Sequence, residues 1–83
     1  MTPKERHTFY IELGKTIRGH REACGVSQAD LGAIVGLTRT SITNIESGRQ
    51  GVGMHLFVEL AHALNFVGKD GWVGVKIVQG RVQ

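Results

Sequence analysis

The chain has 83 residues, 41% hydrophobic and 20% charged, which describes one globular domain at most. No apolar run approaches the roughly 20 residues of a membrane span. The charged start MTPKERHTFYIELGK lacks the apolar stretch of a signal peptide, and the one cysteine, Cys24, excludes an internal disulfide and points to an intracellular, cytoplasmic setting. The formal net charge is +3, a weak hint of a polyanionic partner. The excess sits in Lys4, Arg6, Lys15, Arg18 and Arg21, whereas Arg39 and Arg49 are cancelled by Asp30 and Glu46. Bulk charge alone therefore decides nothing.

In chain order, TPKE at Thr2–Glu5 has the pattern of a capping box, with Pro3 suited to the first helical position. Phe9, Leu13 and Ile17 recur at i, i+4 spacing and predict an inward face. The first helix is expected from near Pro3 to near Cys24, with Gly25 left-handed at its end. Gly14 and Gly19 each cost about 1 kcal/mol relative to Ala inside a helix. That leaves open whether the first turns fray or form a separate short helix. Ser27 then caps a second helix, with Asp30 in its first turn and Ala29, Leu31 and Val35 as apolar surface. Gly36 stops it, Leu37 follows as a buried residue, and Thr38 caps a third helix whose Ile42 and Ile45 face inward. Both helices are too short to stand alone in water, so they must form by packing. RQGVG reads as a loop, and Met54, Phe57, Leu60, Ala61 and Leu64 predict a fourth helix that Asn65 can end. Beyond it, Val73, Val75 and Ile77 alternate with Gly74 and Lys76, a strand period, with Asp70-Gly71 as a turn. A strand with no partner in a helical domain is barely stable. The expectation is therefore that it pairs with its copy in a second subunit.

SQADLGAIVGLTRTSITNIESGR, from Ser27 to Arg49, resembles the reading head of the XRE or Cro/C1-type helix-turn-helix family of phage repressors. The resemblance runs from about Leu13 to Phe66. It rests on Arg21 late in the first helix, SQ opening the second, Gly36 at the turn, T-x-x-S-I-x-x-I-E-x-G in the third, and LA-x-AL at Leu60–Leu64. Gly32 stands where the family usually has Ala, Val52 where Pro is common, and a strand-like tail replaces the usual fifth helix. The resemblance implies a mainly α, lambda-repressor-like bundle of four to five helices, to which the residue pattern of the tail adds a C-terminal strand or hairpin. A DNA-binding domain over residues 1–66 would be followed by a dimerising extension over 67–83. It also implies that Arg21 and Glu46 form a structural ion pair fixing the recognition helix.

The residues themselves support that use. The outward face of the third helix carries Arg39, Thr40, Thr43 and Asn44, short polar groups and one Arg suited to base edges in the major groove. Arg39 suits guanine O6 and N7, and Asn44 suits adenine N6 and N7. The plain alternative is a solvated face, but such faces usually hold Lys and Glu, and Thr and Asn are poor helix formers. Gln28, Thr38, Ser47, Arg49 and Gln50 are the expected phosphate contacts. His55, Glu59 and His62 share a face, where a solvated surface outweighs a metal site. Cys24 is expected to be half-buried. Trp72, Val73, Val75 and Ile77 are expected to bury themselves in a dimer. No nucleophile elbow, P-loop or carboxylate pair suggests an enzyme, and no cofactor is expected. The expected function is a transcriptional regulator, a repressor, that binds double-stranded DNA at an inverted repeat as a homodimer. A phage-type repressor and a restriction–modification controller fit the head equally. The tail resembles that of HipB-type antitoxins, which would add a toxin protein as partner. An interaction module that has lost DNA binding is the rival of another class.

Overall fold

The computed structural model describes residues 1–64, which form four helices: α1 Pro3–Ala23, α2 Gln28–Val35, α3 Arg39–Glu46 and α4 Met54–Ala63. The strand or hairpin expected over 67–83, with Trp72, Val73, Val75 and Ile77, and the stop at Asn65 lie outside the described residues. None of the described helices is long and apolar enough to cross a membrane.

Local chemistry sets the helix ends. The Thr2 hydroxyl accepts from the Glu5 amide at 3.1 Å, and the Thr2 amide donates back to Glu5 Oε1 at 2.8 Å, closing the capping box ahead of Pro3. These bonds hold the Glu5 carboxyl below its ordinary pKa. Ser27 accepts from the Asp30 amide at 3.0 Å and Thr38 from the Ser41 amide at 3.1 Å, so α2 and α3 each start on a side-chain cap. Between them, Gly36 takes φ 76°, a left-handed conformation that admits Gly without strain. Gly32 faces the same turn, where a Cβ would lie 2.6 Å from the Leu37 carbonyl oxygen. The departure from the family's Ala thus goes with a close-drawn turn. Cys24 caps α1, and Gly25 is left-handed at φ 72°. α1 is one continuous helix through Gly14 and Gly19, so the separate first helix left open above does not form.

Leu13, Ile17, Leu31, Ile42, Ile45, Val52, Leu60, Ala61 and Leu64 make the core. Each large side chain fully withdrawn from water is worth about 1.5–3 kcal/mol. α3 packs on both α1 and α2, and α2 packs on α4, so α3 is braced from two sides. Three expectations need correction. Phe9 is 50% exposed and meets Tyr10 edge-on at 5.3 Å, while Tyr10 is the ring that packs against the core. The inward row of α1 is 10, 13, 14, 17 and 21, and Phe9 falls on the neighbouring row. Met54 is 70% exposed, while Leu56 and Phe57, just after it on α4, pack against the core. Ala29 is exposed, and Val35 and Leu37 are only half-buried, so among these positions Leu31 alone is a fully buried anchor. Val52, at the family's Pro position, is a core residue.

Candidate nucleic-acid interface

The site is built outward from one buried ion pair. Arg21 Nε lies 2.6 Å from Glu46 Oε2, and Arg21 Nη2 lies 3.1 Å from Glu46 Oε1. This is a two-pronged fit that joins the end of α1 to the end of α3. Arg21 Nη1 also donates to the Val26 carbonyl at 2.9 Å, and Gln28 Nε2 donates to Glu46 Oε1 at 3.0 Å. The hydrogen bond to Glu46 raises the Arg21 pKa above its ordinary value, with burial opposing. Both residues are buried, at 9% and 8% exposure, and their hydrogen bonds offset the desolvation that such burial costs.

The pair ties α3 to α1. Ile42 and Ile45 turn into the core, while Arg39, Thr40 and Thr43 are exposed and Asn44 is half-buried. These four therefore share the outward side of an eight-residue helix. The side chains of Arg39, Thr40 and Asn44 make no hydrogen bond or ion pair within the described residues, which leaves their polar groups available to a ligand. Thr43 differs: its hydroxyl lies 3.0 Å from the Arg39 carbonyl and 3.2 Å from Gln28 Oε1.

The residues expected at phosphates divide into two groups. Thr38 donates its hydroxyl proton to Ser41 Oγ at 3.2 Å, and Ser47 donates to the Asn44 carbonyl at 3.1 Å. A hydroxyl has one proton, and a phosphate oxygen only accepts, so a phosphate at either side chain would have to draw that proton from its present partner. Gln28 is half-buried and bound at both ends of its amide, with one N–H remaining. Arg49 is exposed and Gln50 half-buried. Their backbone amides donate to the Asn44 carbonyl at 2.9 and 3.2 Å, which curls the loop after α3 and frees both side chains to reach out.

Arg18 had not stood out in the sequence. It lines a cleft of about 440 Å³ with Arg21, Ser27, Gln28, Ala29 and Arg39. Its Nε bonds Glu22 Oε2 at 3.1 Å on an open surface, an ion pair worth little. Its spacing of three residues from Arg21 was the available signal, since that places both on one side of α1. Cys24, expected half-buried, is exposed, with Sγ 3.4 Å from the Leu64 carbonyl. His55 Nε2 lies 3.8 Å from Glu59 Oε2, and no group of three metal-binding side chains occurs among the described residues.

Comparisons with known proteins bear on the same segment. A family model described as a helix-turn-helix domain matches residues 12–70. Among solved structures, the crystal structure of the restriction-modification controller protein C.AhdI from Aeromonas hydrophila is similar, at 30% sequence identity and a TM-score of 0.68. The match covers 71% of this chain and 86% of that one. No curated protein matches the sequence.

Proposed function

Because the chain belongs to the XRE-type helix-turn-helix family of DNA-binding regulators, we propose that it is a sequence-specific transcriptional repressor that binds an inverted-repeat operator as a homodimer. The observation that carries this reading is the outward row of α3. Arg39, Thr40, Thr43 and Asn44 stand there on a helix whose angle is set by the buried Arg21–Glu46 pair. In the proposed complex that row enters the major groove and reads base edges. Arg49, Gln50 and the remaining Gln28 proton follow the backbone. The likeness to a restriction-modification controller favours a controller-type regulator over an antitoxin, since the antitoxin reading rests on residues outside those described. Such a regulator works beside the DNA, in the cytoplasm.

Two substitutions separate the roles. Arg39→Ala should lower affinity for the operator by about 1–3 kcal/mol per half-site and relax the preference at one base position in each. Arg49→Ala should weaken binding to all sequences alike and reduce the slope of log K against log salt by about 1 per half-site. Titrations of both variants on operator and random duplex, at several salt concentrations, check the pair. The reverse pattern would exchange their assignments.

The dimer is proposed to form through the 67–83 extension, with Trp72, Val73, Val75 and Ile77 at its centre. Two recognition helices then meet successive major grooves about 34 Å apart. Deleting the residues after Asn65 should give a monomer in sedimentation velocity, and an undiminished dimer would refute the extension's role.

A further inference from the structure

Thr43 stands within the outward row of α3, and two acceptors of the protein's own lie within reach of its hydroxyl: the Arg39 carbonyl at 3.0 Å and Gln28 Oε1 at 3.2 Å. A hydroxyl has one proton and two acceptor positions, so either bond consumes the proton. Gln28 cannot turn its amide to relieve this. Its Nε2 donates to Glu46 Oε1 at 3.0 Å, and a turned amide would set its own oxygen against that carboxylate. Glu46 is held in turn by Arg21. A chain of bonds from α1 through α3 and α2 thus fixes the hydrogen-bonding polarity of one side chain in the reading row. Thr40 offers the contrast, because its hydroxyl is bound to no described group and keeps both capacities.

We infer that Thr43 reads DNA as a hydrogen-bond acceptor carrying a methyl group and not as a donor, so that it selects a base presenting an exocyclic amine, adenine N6 or cytosine N4. Guanine offers only the N7 and O6 acceptors on its major-groove edge, and lone pairs would meet there. The inference rests on the reading of α3 as the recognition helix and specifies what one of its residues recognises.

The test uses the full chain and the operator it selects from a random duplex pool. That operator is resynthesised with single groups removed: purine for adenine, 2-pyrimidinone for cytosine, and 7-deaza bases for purines. One amine deletion per half-site should weaken wild-type binding about two- to tenfold. Thr43→Val should weaken binding to the intact operator by a similar factor, and the amine deletion should then cost that variant nothing further. Thr43→Ser should keep the dependence on the amine, which assigns it to the oxygen and not to the shape of the side chain. Coupling of Thr43→Val to a 7-deaza base, or to no amine, overturns the inference and leaves sequence-specific binding standing. A wild-type pool with no enriched sequence overturns both.

Discussion

Glu46→Ala is expected to lower the free energy of unfolding by about 3–5 kcal/mol, read as a fall in the urea midpoint by circular dichroism. A domain of 83 residues is stable by only about 4–12 kcal/mol in all, so the variant should stand at the edge of folding. The reason is Arg21. Its side chain is 11% exposed and loses two of its three short contacts, keeping the Val26 carbonyl. It has no escape through deprotonation, because a guanidinium keeps its proton across the accessible pH range even when buried. By linkage, a raised cation pKa stabilises at every pH below the unfolded pKa and is lost only as pH rises through the folded one. The cost of losing Glu46 should therefore be constant across the neutral range. Replacing both partners, Arg21→Met with Glu46→Leu, should recover most of the loss, since apolar groups leave no charge buried. A cost below about 1 kcal/mol for Glu46→Ala would put the pair in the class of surface bridges and remove it as the anchor of α3.

Gly14→Ala should be destabilising by about 1–3 kcal/mol, although Ala is the better helix former by about 1 kcal/mol. A Cβ at position 14 would meet the Ile45 carbonyl oxygen and lie 2.5 Å from that of Glu46. Both are backbone atoms of α3, which cannot swing aside as a side chain can. The methyl must push α1 away from the end of α3, at Ile45 and Glu46, so operator affinity should fall along with stability. Gly19→Ala is the control of opposite sign. Nothing lies within 4 Å of a Cβ there, and the substitution should stabilise by about 0.5–1 kcal/mol. Thermal melts of the two variants side by side check the contrast, and equal shifts would show that α1 does not pack on α3 through Gly14.

That contrast marks what could be read from the chain alone. Thr2, Ser27, Thr38 and Gly36 announce helix ends because a cap is a bond across three or four residues, visible in the order of the letters. Gly14 and Gly19 look alike in sequence, each a cost to α1, and only the approach of α3 separates them. Of the expected face of α1, Leu13 and Ile17 are buried and only Phe9 gives way, to Tyr10, because two adjacent aromatics satisfy the same period and packing chooses between them. The partnership of Arg21 and Glu46 spans 25 residues and came from the resemblance, not from spacing. The bonds of Gln28 to Glu46 and Thr43 depend on how α2 crosses α3, which no local pattern encodes. The same holds for Arg18 beside Arg39, and for the internal use of the Thr38 and Ser47 protons.

The central claim is that the outward row of α3 reads base sequence. It is tested most directly by competition: labelled operator, selected by the full chain, is challenged with random duplex at two salt concentrations. The account predicts preference for the operator by a factor of about 10³ or more, lost in large part in Arg39→Ala and kept in Arg49→Ala. Equal affinity for every duplex, or none for any, would contradict it.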